Sequence, residues 1–323
     1  MEKLLIHIGY HKTATSWMQN QLFVSTSKNF VSVSKNKKGH STLARDFIYN
    51  KDGYLLSSFD NNEQNILKNY EEISQNIVND SKRIRVISHE RLSGNPHSSG
   101  FDSSLIAQRI QKTFPKSKIL IVIREQTSWI LSNYFQYLSI GGTHSLKKYL
   151  TLKYDGKRPG FSPSHIKYHN LIQNYYDRFG KNNVEVLPYE LLKSDNNNFI
   201  KSLGDFLETD LTNESLNFNK RINTKNNHYL NYKLRFLNPL ISSSSVNNSS
   251  RLNNKITKSI ITRIKKTIAL CISKRNNESM KRKLRKEIIE WAGDRFNLSN
   301  QITQELIEVK LEEFGYQTTT NKV

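Results

Sequence analysis

Of the 323 residues only one is cysteine, three are methionine and six are proline. A lone Cys271 excludes an internal disulfide and any zinc site built from several cysteines, and it fits a reducing compartment. Apolar runs are short. None reaches the roughly 18 residues that a membrane-crossing helix requires. The N-terminal run Leu4–Ile8 is too brief for the apolar region of a secretory leader and is wanted as a strand, so a cytoplasmic location is expected. Acidic residues are also scarce, 28 against 49 Lys plus Arg, which leaves a net charge of +21. Such a field gathers anions: nucleic acid, anionic lipid, an acidic polysaccharide or a nucleotide with several phosphates. No helix-turn-helix, RNA-recognition or zinc-finger pattern accompanies the charge, so no nucleic-acid partner is expected. The chain also lacks an H-E-x-x-H, EF-hand or Asp-rich ligand cluster, and no metal is expected.

With 36% apolar residues the chain can bury one sizeable core. The most informative stretch is Leu4-Leu5-Ile6-His7-Ile8-Gly9-Tyr10-His11-Lys12-Thr13-Ala14-Thr15-Ser16-Trp17-Met18-Gln19. Here an apolar strand breaks at Gly9 into a polar turn that opens a helix. Gly9 permits a tight turn, Lys12 brings a point charge, and the N–H groups of Thr13, Ala14, Thr15 and Ser16 supply donors for a phosphate. A Walker A loop needs G-x-x-x-x-G-K-[ST], whereas Gly9 stands only three residues before Lys12.

Further along, Lys118-Ile119-Leu120-Ile121-Val122-Ile123 is a continuous apolar run of the kind found in strands buried on both faces of a parallel sheet. It ends at Arg124, and Ser132 follows in a helix that Thr127 or Ser128 is expected to cap. An arginine at a strand end and a hydroxyl two turns along a helix can converge on one anion. Strands are also read at Arg83–Ser88 and Val184–Leu187, with helices at Asn62–Asn79, Asp102–Thr113 and Ser164–Phe179. This alternation implies a parallel sheet whose ligands sit beyond the strands' carboxyl ends. Gly9–Ser16, His89–Glu90 and Arg124 all fall at such ends.

The pattern G-x-x-K-T-x-T-[ST] after an N-terminal strand resembles the loop with which sulfotransferases hold 3′-phosphoadenosine 5′-phosphosulfate (PAPS). The spacing of Arg124 and Ser132 is similar to that family's site for the 3′-phosphate. Val184–Leu192 with Phe199–Leu207 resembles the Tyr-Glu-x-Leu block of bacterial members. Lys220-Arg221-Ile222-Asn223 looks like the basic loop that closes over the nucleotide, and Leu298-Ser299-Asn300 with Phe314-Gly315-Tyr316 like a common family ending. The resemblance implies a three-layer α/β, P-loop-like fold with a central parallel sheet flanked by helices. It also implies PAPS as donor, 3′-phosphoadenosine 5′-phosphate (PAP) as product, and a carbohydrate acceptor such as a surface glycan or glycolipid. Gly9, His11, Lys12, Thr13, Ala14, Thr15, Ser16, Arg124, Ser132, Arg221 and Asn223 would hold the nucleotide, with Lys12 catalytic. The base for the acceptor proton is Glu90, in Ser88-His89-Glu90, with His40 and His11 as competitors. A rival enzyme class, an atypical P-loop kinase, would need an acidic metal-holding residue where Arg124 follows the strand. A non-catalytic basic module for nucleic acid or anionic membrane is the other alternative.

Three regions are expected: a catalytic α/β part over 1–237, a Ser/Asn-rich linker over 238–254, and a basic helical extension over 255–323. Between Lys255 and Lys286 lie twelve Lys or Arg against the single acid Glu278, while Ile256, Ile260, Ile264, Ile268 and Ile272 recur at helical spacing. This segment is expected either to pack as an ordinary amphipathic helix or to touch an anionic membrane, at the inner face, or an acidic glycan.

Overall fold

The computed structural model describes residues 3–24, 26–33, 43–75, 82–151, 160–219, 228–238, 246 and 274–318. Its strands are β1 (Leu4–His7), β2 (Phe30–Ser32), β3 (Ile84–Ser88), β4 (Lys118–Ile123) and β5 (Val184–Pro188). Its helices, in chain order, are α1 (Thr15–Gln21), α2 (Glu63–Gln75), α3 (Ser103–Thr113), α4 (Gln126–Ser139), α5 (Leu146–Thr151), α6 (Tyr168–Phe179), α7 (Tyr189–Ser194), α8 (Asn196–Leu207), α9 (His228–Lys233), α10 (Lys274–Ala292) and α11 (Asn297–Ile307).

All strand pairs are parallel and the order is β2-β3-β1-β4-β5. The apolar run of β4 explains its place inside the sheet: five of its six residues are buried, as a strand covered on both faces must be. Alternate residues feed two cores. Ile6, Ile119, Ile121 and Ile123 pack with α3, α4, α6 and α10 on one face, whereas Leu5, Leu120 and Val122 meet Trp17 and Met18 of α1 and Phe199 and Leu203 of α8 on the other. Helices therefore sandwich the sheet, in the three-layer α/β arrangement expected from strand–helix alternation.

Two local expectations change. The cap of α4 is Glu125, whose carboxylate accepts from the Thr127 and Ser128 N–H groups, so neither hydroxyl residue caps the helix. A carboxylate at that position also complements the helix dipole, which favours it over a hydroxyl. The short edge strand β2 carries no sequence signal, because three residues give too little periodicity. In the basic extension, α10 buries Met280, Leu284, Ile288 and Ala292, one per helical turn, against the core and exposes Arg282, Lys283, Arg285 and Lys286. The isoleucine-rich stretch 256–272 lies outside the described residues.

Candidate functional site at the carboxyl edge of the sheet

The loop after β1 continues along the neighbouring strand: the Ile8 and Tyr10 N–H groups donate to the Leu120 and Val122 carbonyls over 3.1 and 3.2 Å. This extension fixes where the turn begins. Gly9 takes a φ of +34°, and a Cβ there would lie 2.8 Å from Thr15 Oγ1 and 2.9 Å from His7 Nε2, so no other residue fits without displacement. Lys12 and Ala14 both adopt left-handed φ values, 68° and 65°. Such a conformation costs an L-residue about 1–2 kcal/mol, and alternating hands turn successive N–H groups toward one point. The strain is held by Thr13, whose hydroxyl donates back to the Tyr10 carbonyl, and by the start of α1, where the Trp17 and Met18 N–H groups donate to the Ala14 carbonyl.

Arg124 reaches this loop from β4. Its Nη1 donates to the Lys12 carbonyl over 2.9 Å, its guanidinium lies 4.9 Å above the Tyr189 ring, and its Nε is buried without a partner among the described residues. Thr15 Oγ1 is likewise buried and unpartnered. A glycine cradle that a Cβ would fill, a left-handed pair of N–H donors and two orphaned donors suit a phosphate-bearing ligand. Ser132 stands half-buried on α4, two turns from Arg124.

Glu90 opens a short 3-10 turn, Glu90–Ser93, after β3. Its neighbour Arg91 is committed elsewhere, to a buried bidentate pair with Asp102 at the head of α3, one of whose bonds is 3.0 Å. That pair pins the turn carrying Glu90. The exposed Lys12 ammonium titrates below the usual lysine range: partial desolvation lowers its pKa most, nearby Glu90 opposes this, and Arg124 adds to it. Lys12, Glu90 and Arg124 are thus brought within electrostatic reach of one another.

Histidines crowd the same edge, in a grouping that the sequence does not reveal. His11 is held well below the ordinary histidine range by burial, then by His97, His165, His89 and Arg91. Burial and then Lys12 push His97 down to about 4. Burial, Arg91 and His97 bring His165 to about 3. Neutral imidazoles, rather than imidazoliums, therefore flank Lys12 at physiological pH. On the opposite face of the sheet Trp17 stacks on Phe218 at 5.2 Å between ring centroids, and its Nε1 donates to the Asn217 carbonyl. No local signal could have joined residues 201 positions apart. His40, Arg221 and Asn223 lie outside the described residues.

A phosphate-type loop and a strand-end arginine at the carboxyl edge of a parallel sheet define an α/β nucleotide-binding enzyme. The chain matches the sulfotransferase domain family over residues 2–310, and it belongs to that family. PAPS is the sulfuryl donor for this enzyme class, and this chain is a PAPS-dependent sulfotransferase. Among solved structures it is similar to a sulfotransferase from Alicyclobacillus acidocaldarius (17% identity, 73% of this chain and 92% of that one, TM-score 0.49). It is also similar to the sulfotransferase domain of the curacin biosynthetic pathway (14%, 88% and 98%, 0.38) and to a mouse sulfotransferase complexed with PAP (14%, 88% and 89%, 0.37). No curated protein sequence matches it. Among the described residues no helix is long and apolar enough to cross a membrane, and no group of His, Cys, Asp and Glu could hold a metal ion.

Proposed function

We propose that this enzyme sulfates a hydroxyl or amine of a carbohydrate acceptor, a surface glycan or glycolipid, with Lys12 and Glu90 as its catalytic groups. The observation that carries the nucleotide reading is the Arg124–Lys12 hydrogen bond. It joins the β1 loop to the end of β4 with donors left over at Arg124 Nε and Thr15 Oγ1. Bound PAPS would supply a sulfuryl group joined to a phosphate leaving group. Gly9, His11, Thr13, Ala14, Thr15 and Ser16 cradle the 5′ end, and Arg124 with Ser132 holds the 3′-phosphate. Arg221 and Asn223 belong to the same set by resemblance. Lys12 offsets the charge that grows on the leaving oxygen; a preorganised donor of this kind is worth about 2.7–4 kcal/mol. Glu90 accepts the acceptor proton, with His40 and His11 as the competing bases. The burial that holds His11 well below the ordinary histidine range also weakens it as a base, which makes it the poorer competitor.

The basic face of α10 supports peripheral contact with an acidic glycan or anionic membrane through 255–286. Calorimetric titration with PAP, ATP and ADP in parallel tests the nucleotide assignment. A marked preference for PAP is expected; equal or tighter ATP binding, with a requirement for Mg²⁺, would instead favour a kinase.

A further inference from the structure

Beside the loop, on the α3 and α6 face of the sheet, lies a pocket of about 270 Å³. Tyr10 lines it, so it shares a residue with the loop that carries Lys12. Its other walls include Ser103 and Ser104 at the start of α3, Ser164 and His165 in the turn before α6, and Lys167 at the head of α6. Among the described residues no aspartate or glutamate lines it. The nearest carboxylate along the chain, Asp102, is occupied by its pair with Arg91.

Two helices of 11 and 12 residues thus begin at one small cavity, and neither is closed by its own N-cap side chain. The positive ends of both dipoles therefore meet at the same cavity, although the Ser103 N–H at the start of α3 is already given to the Gly100 carbonyl over 3.0 Å. The second observation is His165. Only 8% exposed, it lines the cavity, and its Nε2 has no hydrogen-bond partner among the described residues. A buried ring nitrogen left unsatisfied is destabilising, a cost that a ligand atom would remove. Gly100 makes room for the ring: a Cβ there would come within 2.1 Å of His165 Nδ1, and its φ of +61° also favours glycine.

We propose that this pocket is an oxyanion site and that it holds an acidic group, carboxylate or sulfate, of the acceptor. Two helix N-termini, three serine hydroxyls, one lysine and one imidazole, with no acid among them, form a donor set matched to such an anion. Asn170 and Asn174 also line it, so it is the lysine and the two helix ends that favour an anion over a neutral sugar. The acceptor part of this proposal deepens the sulfotransferase reading above and rests on it, whereas anion binding itself does not.

The test is calorimetric titration of the PAP-saturated protein with sodium sulfate, sodium glucuronate and glucose at matched ionic strength. Saturable 1:1 binding of both anions, and none of glucose, is expected. Lys167→Ala and Ser103→Asp should each raise the anion Kd at least about tenfold while PAP affinity is unchanged. The aspartate fills the site with its own charge and suits a helix start, so that variant should melt no lower than the parent. Absence of saturable anion binding, or equal binding by parent and both variants, overturns the proposal. Sulfate binding without glucuronate binding overturns its carboxylate half. Should PAP fail to bind while sulfate still distinguishes parent from variants, the nucleotide reading falls and the oxyanion site stands.

Discussion

Arg124 holds the Lys12 carbonyl from the end of the adjacent strand, 112 residues away in sequence, while its guanidinium covers the Tyr189 ring. The same side chain therefore shapes the loop and offers an unpartnered Nε to a ligand. Its loss should be felt twice.

Arg124→Ala is expected to raise the PAP Kd at least about tenfold, since one charge-assisted hydrogen bond is worth roughly 1.5–3 kcal/mol. Arg124→Lys should rescue little, because an ammonium cannot stack on Tyr189 and donate in a fork at once. Direct titration with PAP decides this, and unchanged affinity in the alanine variant would remove Arg124 from the nucleotide site.

Lys12→Ala should abolish sulfuryl transfer and leave the fold intact, as Lys12 is exposed. Its φ of 68° adds a second expectation: Lys12→Gly should be equally inactive but about 1 kcal/mol more stable than Lys12→Ala. Chemical denaturation of the pair reads the difference. Equal stability would show that the loop relaxes when the side chain is removed.

For the base, Glu90→Gln should keep near-normal PAP affinity and lower turnover by about 10²–10⁴, the usual contribution of general base catalysis. His40→Ala should be milder. Reversed phenotypes in a sulfate-transfer assay would move the base to His40 and leave Glu90 as part of the turn.

The Arg91–Asp102 pair makes a separate stability claim. Asp102→Ala leaves a buried guanidinium uncompensated and should cost about 3–5 kcal/mol, whereas the double change Arg91→Met, Asp102→Leu should recover most of that loss. Turnover should stay low in the double variant even when stability returns, because the turn bearing Glu90 has lost its anchor. Recovery of both would deny the pair its positioning role.

Glu185, half-buried on β5, has its pKa raised by desolvation to about 7. The native state therefore binds more protons than the unfolded chain between about pH 4.5 and 7, and stability from this group falls as pH rises through that window. Glu185→Gln should remove the decline, gaining on the parent by on the order of 1–3 kcal/mol at pH 8 relative to pH 4. Parallel stability curves for the two proteins across that range would contradict the shift.

Much of the sheet was legible because its signals are local. The β4 run predicts the observed strand residue for residue, and the β1 break at Gly9 marks the loop. Helix limits were less so: α2 starts at Glu63 and α6 at Tyr168, after a 3-10 turn that helical periodicity cannot tell from a first turn. The cap of α4 is not legible because hydroxyl residues are common caps, and only the structure shows Glu125 folding back on its own helix. The histidine grouping had no sequence signal. His11, His97 and His165 meet only because β1, the turn after β3 and the turn before α6 end at the same edge.

One set of bonds links that edge to the far end of the chain. Asn300 on α11 exchanges hydrogen bonds with Gln126, one of them 3.2 Å; the Tyr316 hydroxyl donates to Glu190 over 3.2 Å, and Glu190 accepts from the Glu125 N–H over 3.1 Å. The turn just after Arg124 is thus fastened by residues 174 positions further along the chain. A chain cut before residue 300 would keep Gly9, Lys12 and Arg124 but lose these fastenings, so possession of the whole nucleotide loop would not by itself confer competence for PAPS.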